Sequence, residues 1–246
     1  ALLQEKMRAW YRPRLKQLNS LPELSEDEAQ FRMLMMSTLA LGSADEDMRQ
    51  TLAAAGSSLT GWGGDMQIHP QAIDPNIRYI ALLVGVEEYG KPFVDLLWEH
   101  FKVESDALLR QLMRGAMAHT DDPVAAAQMR ERILSPELRD NEIRSIFNGQ
   151  MGREANRKAT WEWTKSNMEA VLERFPTWRK GTLPSQFATF CTLPEATDLE
   201  RTFAPIIEQL ESGPRYLANT LESIRLCAAF AKLHQAESGL SVKTDT

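Results

Sequence analysis

The sequence has little with which to build a catalytic or metal centre. Its 246 residues include two cysteines, Cys191 and Cys227. Neither belongs to a C-x-x-C pair, so a thiolate zinc site and a dithiol redox motif are both missing, and two cysteines are too few for a disulfide-rich scaffold. Both are expected as buried thiols, packed as small apolar side chains. The four histidines, His69, His100, His119 and His234, do not form the H-E-x-x-H helix of a zinc peptidase. His234 and Glu237 stand at helical i, i+3 spacing near the chain end and read as a surface pair. No G-x-S-x-G elbow occurs. The glycine-rich "TGWGGD" at 60–65 lacks the Lys-Ser/Thr that ends a phosphate loop, and is expected to join two helices. No catalytic residue and no metal ligand is assigned to this chain.

Long apolar runs and an excess of basic charge are missing too. The longest apolar run, Tyr79–Val86, falls far short of the roughly 20 residues that span a bilayer, so no membrane segment is expected. A net charge of −6 argues against a nucleic-acid partner, which would need a basic surface to neutralise phosphates. The chain begins in helix-forming residues without Met or a leader pattern, and reads as a piece of a longer protein. A soluble protein is expected; the sequence leaves the compartment open, with a cytoplasmic setting favoured over a periplasmic or secreted one.

The period-2 alternation of strands is also hard to find; helix punctuation takes its place. Ser25 and Glu28 have capping-box spacing before a helix that should stop at Gly42, and Ser43 and Glu46 repeat the scheme before one ending at Gly56. Asp74-Pro75 and Asp122-Pro123 are N-cap and first-turn pairs. A further helix should close at Asn148-Gly149. About twelve helices joined by short links imply an all-α fold, an irregular α-solenoid of antiparallel helical hairpins, HEAT-like. Residues 1–240 are expected to form one helical domain and 241–246 a frayed tail.

Two local features stand out. From Arg130 to Lys165 the chain gathers Arg130, Arg132, Arg139, Arg144, Arg153, Arg157, Lys158 and Lys165, with acids between them, which reads first as a solvated face. "WEWTKSN" follows, with Trp161 and Trp163 two apart in helix-forming surroundings. On a helix these side chains point in nearly opposite directions, so the helix should be covered from two sides.

That motif also carries a resemblance. "RGAMAHTDDP", "FNGQMGREANRKA", "WEWTKSN" with Trp161, Trp163 and Asn167, and "TLESIRLCAAF" with Leu221, Glu222 and Ile224 occur in the order seen in one family. So does "IDPNIRYIALLVGVEEYGKP", with Ile73 and Arg78. Together they resemble the C-terminal helical domain of zinc aminopeptidases of the aminopeptidase N, puromycin-sensitive and endoplasmic-reticulum kind. Met168 and Phe230 stand where the family often has an aromatic and a tryptophan.

The resemblance implies a helical cap that encloses a peptide-substrate chamber and is not catalytic alone. The zinc and the catalytic groups would lie in the parent's own catalytic domain, the cap's expected partner along with the peptides. Arg153 and Arg157 are candidates for chamber-facing groups that attract peptide carboxylates; Trp161, Trp163, Asn167 and Glu222 are structural markers. The competing reading is a free-standing HEAT-like scaffold that binds a protein along one face.

Overall fold

A computed structural model describes residues 2–241, with side chains as far as residue 234. Among the described residues the chain is all-α, as expected, with no strand. It divides into two compact units, Ala1–Ala127 and Gln128–Thr246.

The first unit holds α1 (Leu2–Asn19), α2 (Glu26–Ser37), α3 (Glu46–Thr60), α4 (Arg78–Tyr89), α5 (Lys91–Val103) and α6 (Ala107–Ala118), and the start of α7 (Pro123–Arg132). Its centre is α4, where every residue from Ile80 to Val86 is buried and α3, α5 and α6 all pack on the helix. The apolar run Tyr79–Val86 is therefore a helix covered on all faces. Consecutive helices pack on one another, the local pattern expected of stacked hairpins.

Several start and stop signals act as their chemistry dictates. Ser25 and Glu28 form the capping box of α2, Asp74 caps the short 3-10 turn Pro75–Ile77 that leads into α4, and Asp122 accepts the amides of Val124 and Ala125 at the start of α7.

Others give way to tertiary packing. Beyond α2 the chain continues as a π-helical turn, Thr38–Gly42, and the helical stretch stops at Gly42 as expected, but α3 is capped by Asp45 rather than Ser43, whose hydroxyl donates to Leu39 O. Gly56 does not end α3. The helix runs to Thr60 and closes at Gly61 in a left-handed conformation, φ 60°. Gly56 serves close approach instead: a Cβ there would lie 2.7 Å from the Ala81 carbonyl oxygen of α4. The "TGWGGD" loop is pinned by Trp62, whose ring sits 5.6 Å from Tyr89 and 5.4 Å from Phe93.

The second unit mixes short and long pieces: α8 (Ile143–Gly152), α9 (Glu154–Ser166), α10 (Met168–Arg174), α11 (Thr177–Lys180), α12 (Leu193–Phe203) and α13 (Gly213–Ser241), with 3-10 turns at Leu183–Phe187 and Ile207–Gln209. Gly149 is buried within α8, which continues to Gly152. The first half of α13 packs on α12 and on both 3-10 turns through Leu217, Leu221 and Ile224. The expected tail at 241–246 lies, apart from Ser241, outside the described residues, as does the Glu237 side chain; His234 sits against the Phe230 ring at 4.5 Å.

The cysteines depart from expectation. Cys191 and Cys227 are joined in a disulfide, with Cα atoms 5.0 Å apart. Neither is a buried thiol: Cys191 is half-buried and Cys227 exposed. A separation of 36 residues carries no local signal, and only the docking of α13 beside the start of α12 brings the two within bridging distance.

Candidate functional site

The markers read from the sequence gather around α9, and the two tryptophans leave it on different sides. Trp161 is buried at 4% exposure among Phe187, Phe190 and Phe203, with ring centroids 4.7, 6.1 and 6.2 Å away. Trp163 is half-buried and donates its indole N–H to Glu131 Oε1 of α7 at 2.6 Å. Each indole thus satisfies its polar edge on a carboxylate, and the Trp161 rings pack among phenylalanines. Asn167 ends α9; its side-chain amide turns back to Trp163 O at 2.9 Å, within its own helix. Glu222 is exposed on α13, outside this cluster.

Asp198 of α12 binds the buried indole. It accepts Trp161 Nε1 at 2.7 Å, Lys165 Nζ at 2.9 Å and an Arg201 guanidinium N–H at 2.6 Å. These donors, the indole first and Lys165 next, hold its carboxyl well below the usual range, at about 2. The same carboxylate raises the Lys165 ammonium, whose Nζ also lies 5.3 Å over the Trp161 ring. Sequence reasoning did not single out Asp198. Its i, i+3 spacing to Arg201 is an ordinary helical pair, and Trp161 lies 37 positions away.

The basic stretch does not form one surface. Arg139, Arg144 and Lys158 are exposed, whereas Arg130 is 8% exposed and donates to Gln150 Oε1 at 3.1 Å. Burial pushes the Arg130 guanidinium below its ordinary value, with Glu131 acting against the shift. Arg153 and Arg157 are both half-buried, Arg153 immediately before α9 and Arg157 within its first turns. Arg157 Nε donates to Met151 O at 2.9 Å, tying the end of α8 to α9. No group of three or more His, Cys, Asp or Glu side chains placed to hold a metal ion occurs among the described residues. No described helix is long and apolar enough to cross a membrane.

What this arrangement does chemically is pack and position: paired donors and carboxylates fix α9 between α7 and α12. A family model described as the ERAP1-like C-terminal domain matches residues 1–226. No curated protein matches the chain.

Proposed function

The chain belongs to the ERAP1-like C-terminal domain family, the C-terminal domain of an aminopeptidase, and from that membership we propose that it is the cap of a zinc-dependent enzyme that removes N-terminal residues from peptides. The observation that carries this reading is the extent of the match, which runs through both compact units. On this reading the two units serve one domain that encloses the substrate chamber and is not catalytic alone.

Zinc would be held by the parent's catalytic domain, where it would polarise the scissile carbonyl and activate water. This chain would contribute shape and charge. Trp161, Trp163 and Asp198 fix α9, and Arg153 and Arg157 at its start would attract the C-terminal carboxylates of peptides that reach into the chamber. On α1 the exposed Leu2, Leu3 and Trp10, at 66, 67 and 67% exposure, offer an apolar face of the kind that packs against a partner domain.

The test replaces both arginines by alanine in the longer enzyme and compares kcat/KM on long peptides and on short aminoacyl reporters. A partly exposed charge contact is worth up to ~1 kcal/mol, so the expected loss is about five-fold on long peptides, with little change on reporters. Equal kcat/KM on long peptides would remove these arginines from the reading. The chain on its own should release no amino acid from the reporters; release would overturn the cap assignment itself.

A further inference from the structure

The Cys191–Cys227 bridge lies where the packing of α13 stops. Leu217, Leu221 and Ile224 are buried, whereas no residue from 225 to 234 is, and Leu226, Phe230 and Leu233 are 63, 63 and 65% exposed. From this stretch the exposed pair Arg225–Glu200, at 2.9 Å, and the bridge from Cys227 to Cys191 reach back towards α12. An exposed ion pair holds weakly. The covalent bond is the strong tie, and its Cys227 end faces solvent.

We propose that the bridge is a thiol-exchange site: a dithiol reductant opens it in the folded protein, and opening releases α13 beyond Ile224 while the packed half stays in place. The reductant's thiolate attacks Sγ of Cys227, forming a mixed disulfide as the Cys191–Cys227 bond breaks. Cys191 leaves as a thiolate and takes a proton. The reductant's second thiolate then attacks its own sulfur in the mixed disulfide, and Cys227 leaves and is protonated in turn. The reductant ends as a disulfide, and two electrons and two protons have passed to the cysteines.

Exposure selects Cys227 as the sulfur attacked. Cys191 precedes Thr192, the N-cap of α12, whose amides favour a thiolate there, but Glu195 accepts the amides of Cys191 and Thr192 at 3.0 Å each and opposes that help. Access, rather than thiolate stability, therefore decides the direction. Oxidising compartments keep such a bond closed and glutathione-buffered ones keep it open, so the helix end would report the redox state around the enzyme.

The experiment treats the folded chain with dithiothreitol, counts thiols by alkylation and mass spectrometry, and follows amide exchange on either side of Ile224. Two thiols should appear without denaturant, and exchange across 225–234 should rise about tenfold or more while 217–224 changes less than about twofold, since only the distal half loses its tether. The double variant Cys191→Ser/Cys227→Ser should show the open pattern without reductant. Glutathione, a monothiol, should leave its adduct on Cys227. Thiols that appear only after global unfolding, or unchanged exchange on reduction, would overturn the proposal, and an adduct on Cys191 would overturn the direction of attack.

Discussion

The two units hold their interiors together by different means. In the first, the largest contact joins α3 to α4, and its lining is aliphatic and small: Leu52, Ala53, Ile80, Ala81 and Val84, with Gly56 admitting the Ala81 backbone. In the second, Trp161, Phe147, Phe187, Phe190 and Phe203 fill the centre, and two of its helices are very short, α10 having 7 residues and α11 having 4. Helices of that length have little stability of their own. Large rings, the Asp198 network and a disulfide compensate. The α3–α4 contact of the first unit depends on the absence of atoms at a crossing, the centre of the second on large rings and the Asp198 tie.

Removing the largest ring is the strongest way to break that contrast. Trp161→Ala deletes a buried indole that touches three phenylalanines and leaves Asp198 with one donor fewer. The expected cost is about 3–5 kcal/mol in urea unfolding. Amide exchange should rise first across α9 and α12, both of which the indole contacts. A loss below about 1 kcal/mol would show that short helices, not rings, hold the second unit.

Adding a single atom tests the first unit. Gly56→Ala improves helix propensity by up to ~1 kcal/mol, but its Cβ must occupy space 2.7 Å from a backbone oxygen that can move only with α4. A net loss of about 1–3 kcal/mol is expected. Gly85→Ala meets the Phe93 ring at 2.8 Å, and a ring can turn aside more cheaply than a backbone, so its loss should be the smaller of the two. Equal or greater stability of Gly56→Ala would mean that the helices separate without cost, and smallness would not be what the crossing requires.

The contrast also accounts for what was legible in the sequence. Signals that act within one turn were readable: the Ser25–Glu28 box, the Asp74 and Asp122 caps, and the opposed directions of Trp161 and Trp163. Glycine proved ambiguous, because the residue that frees a helix end also lets another backbone come close. Gly56 and Gly149 lie inside helices that were expected to stop there. Hydropathy could not separate Ser43 from Asp45 as the cap of α3; Asp45 accepts the Met48 amide, whereas the Ser43 hydroxyl turns back to Leu39 O. Around the candidate site, the family markers were readable as a motif, but the partners that give them meaning are distant. Asp198 finds Trp161 across 37 positions, Cys191 finds Cys227 across 36, and Arg130 is drawn inside although its charge suggested a solvated face.

The polar ties of the second unit can be tested apart from its rings, at a smaller scale, through Asp198→Asn. The replacement keeps an oxygen for the Trp161 indole and removes the charge that Lys165 and Arg201 pair with. Because the folded carboxyl sits at about 2 against an ordinary 3.8, the charge stabilises the fold above the unfolded value, and that contribution is lost as pH falls through the folded one. The carboxylate is 25% exposed, so after solvent screening the difference between wild type and variant should be on the order of 1 kcal/mol at neutral pH. The gap should hold down to about pH 4 and close towards about pH 2, where the wild-type carboxyl is itself protonated. Urea unfolding of both proteins at several pH values measures it. A gap that stays constant across that range would assign the effect to amide geometry rather than charge, leaving ring packing as the main support of α9.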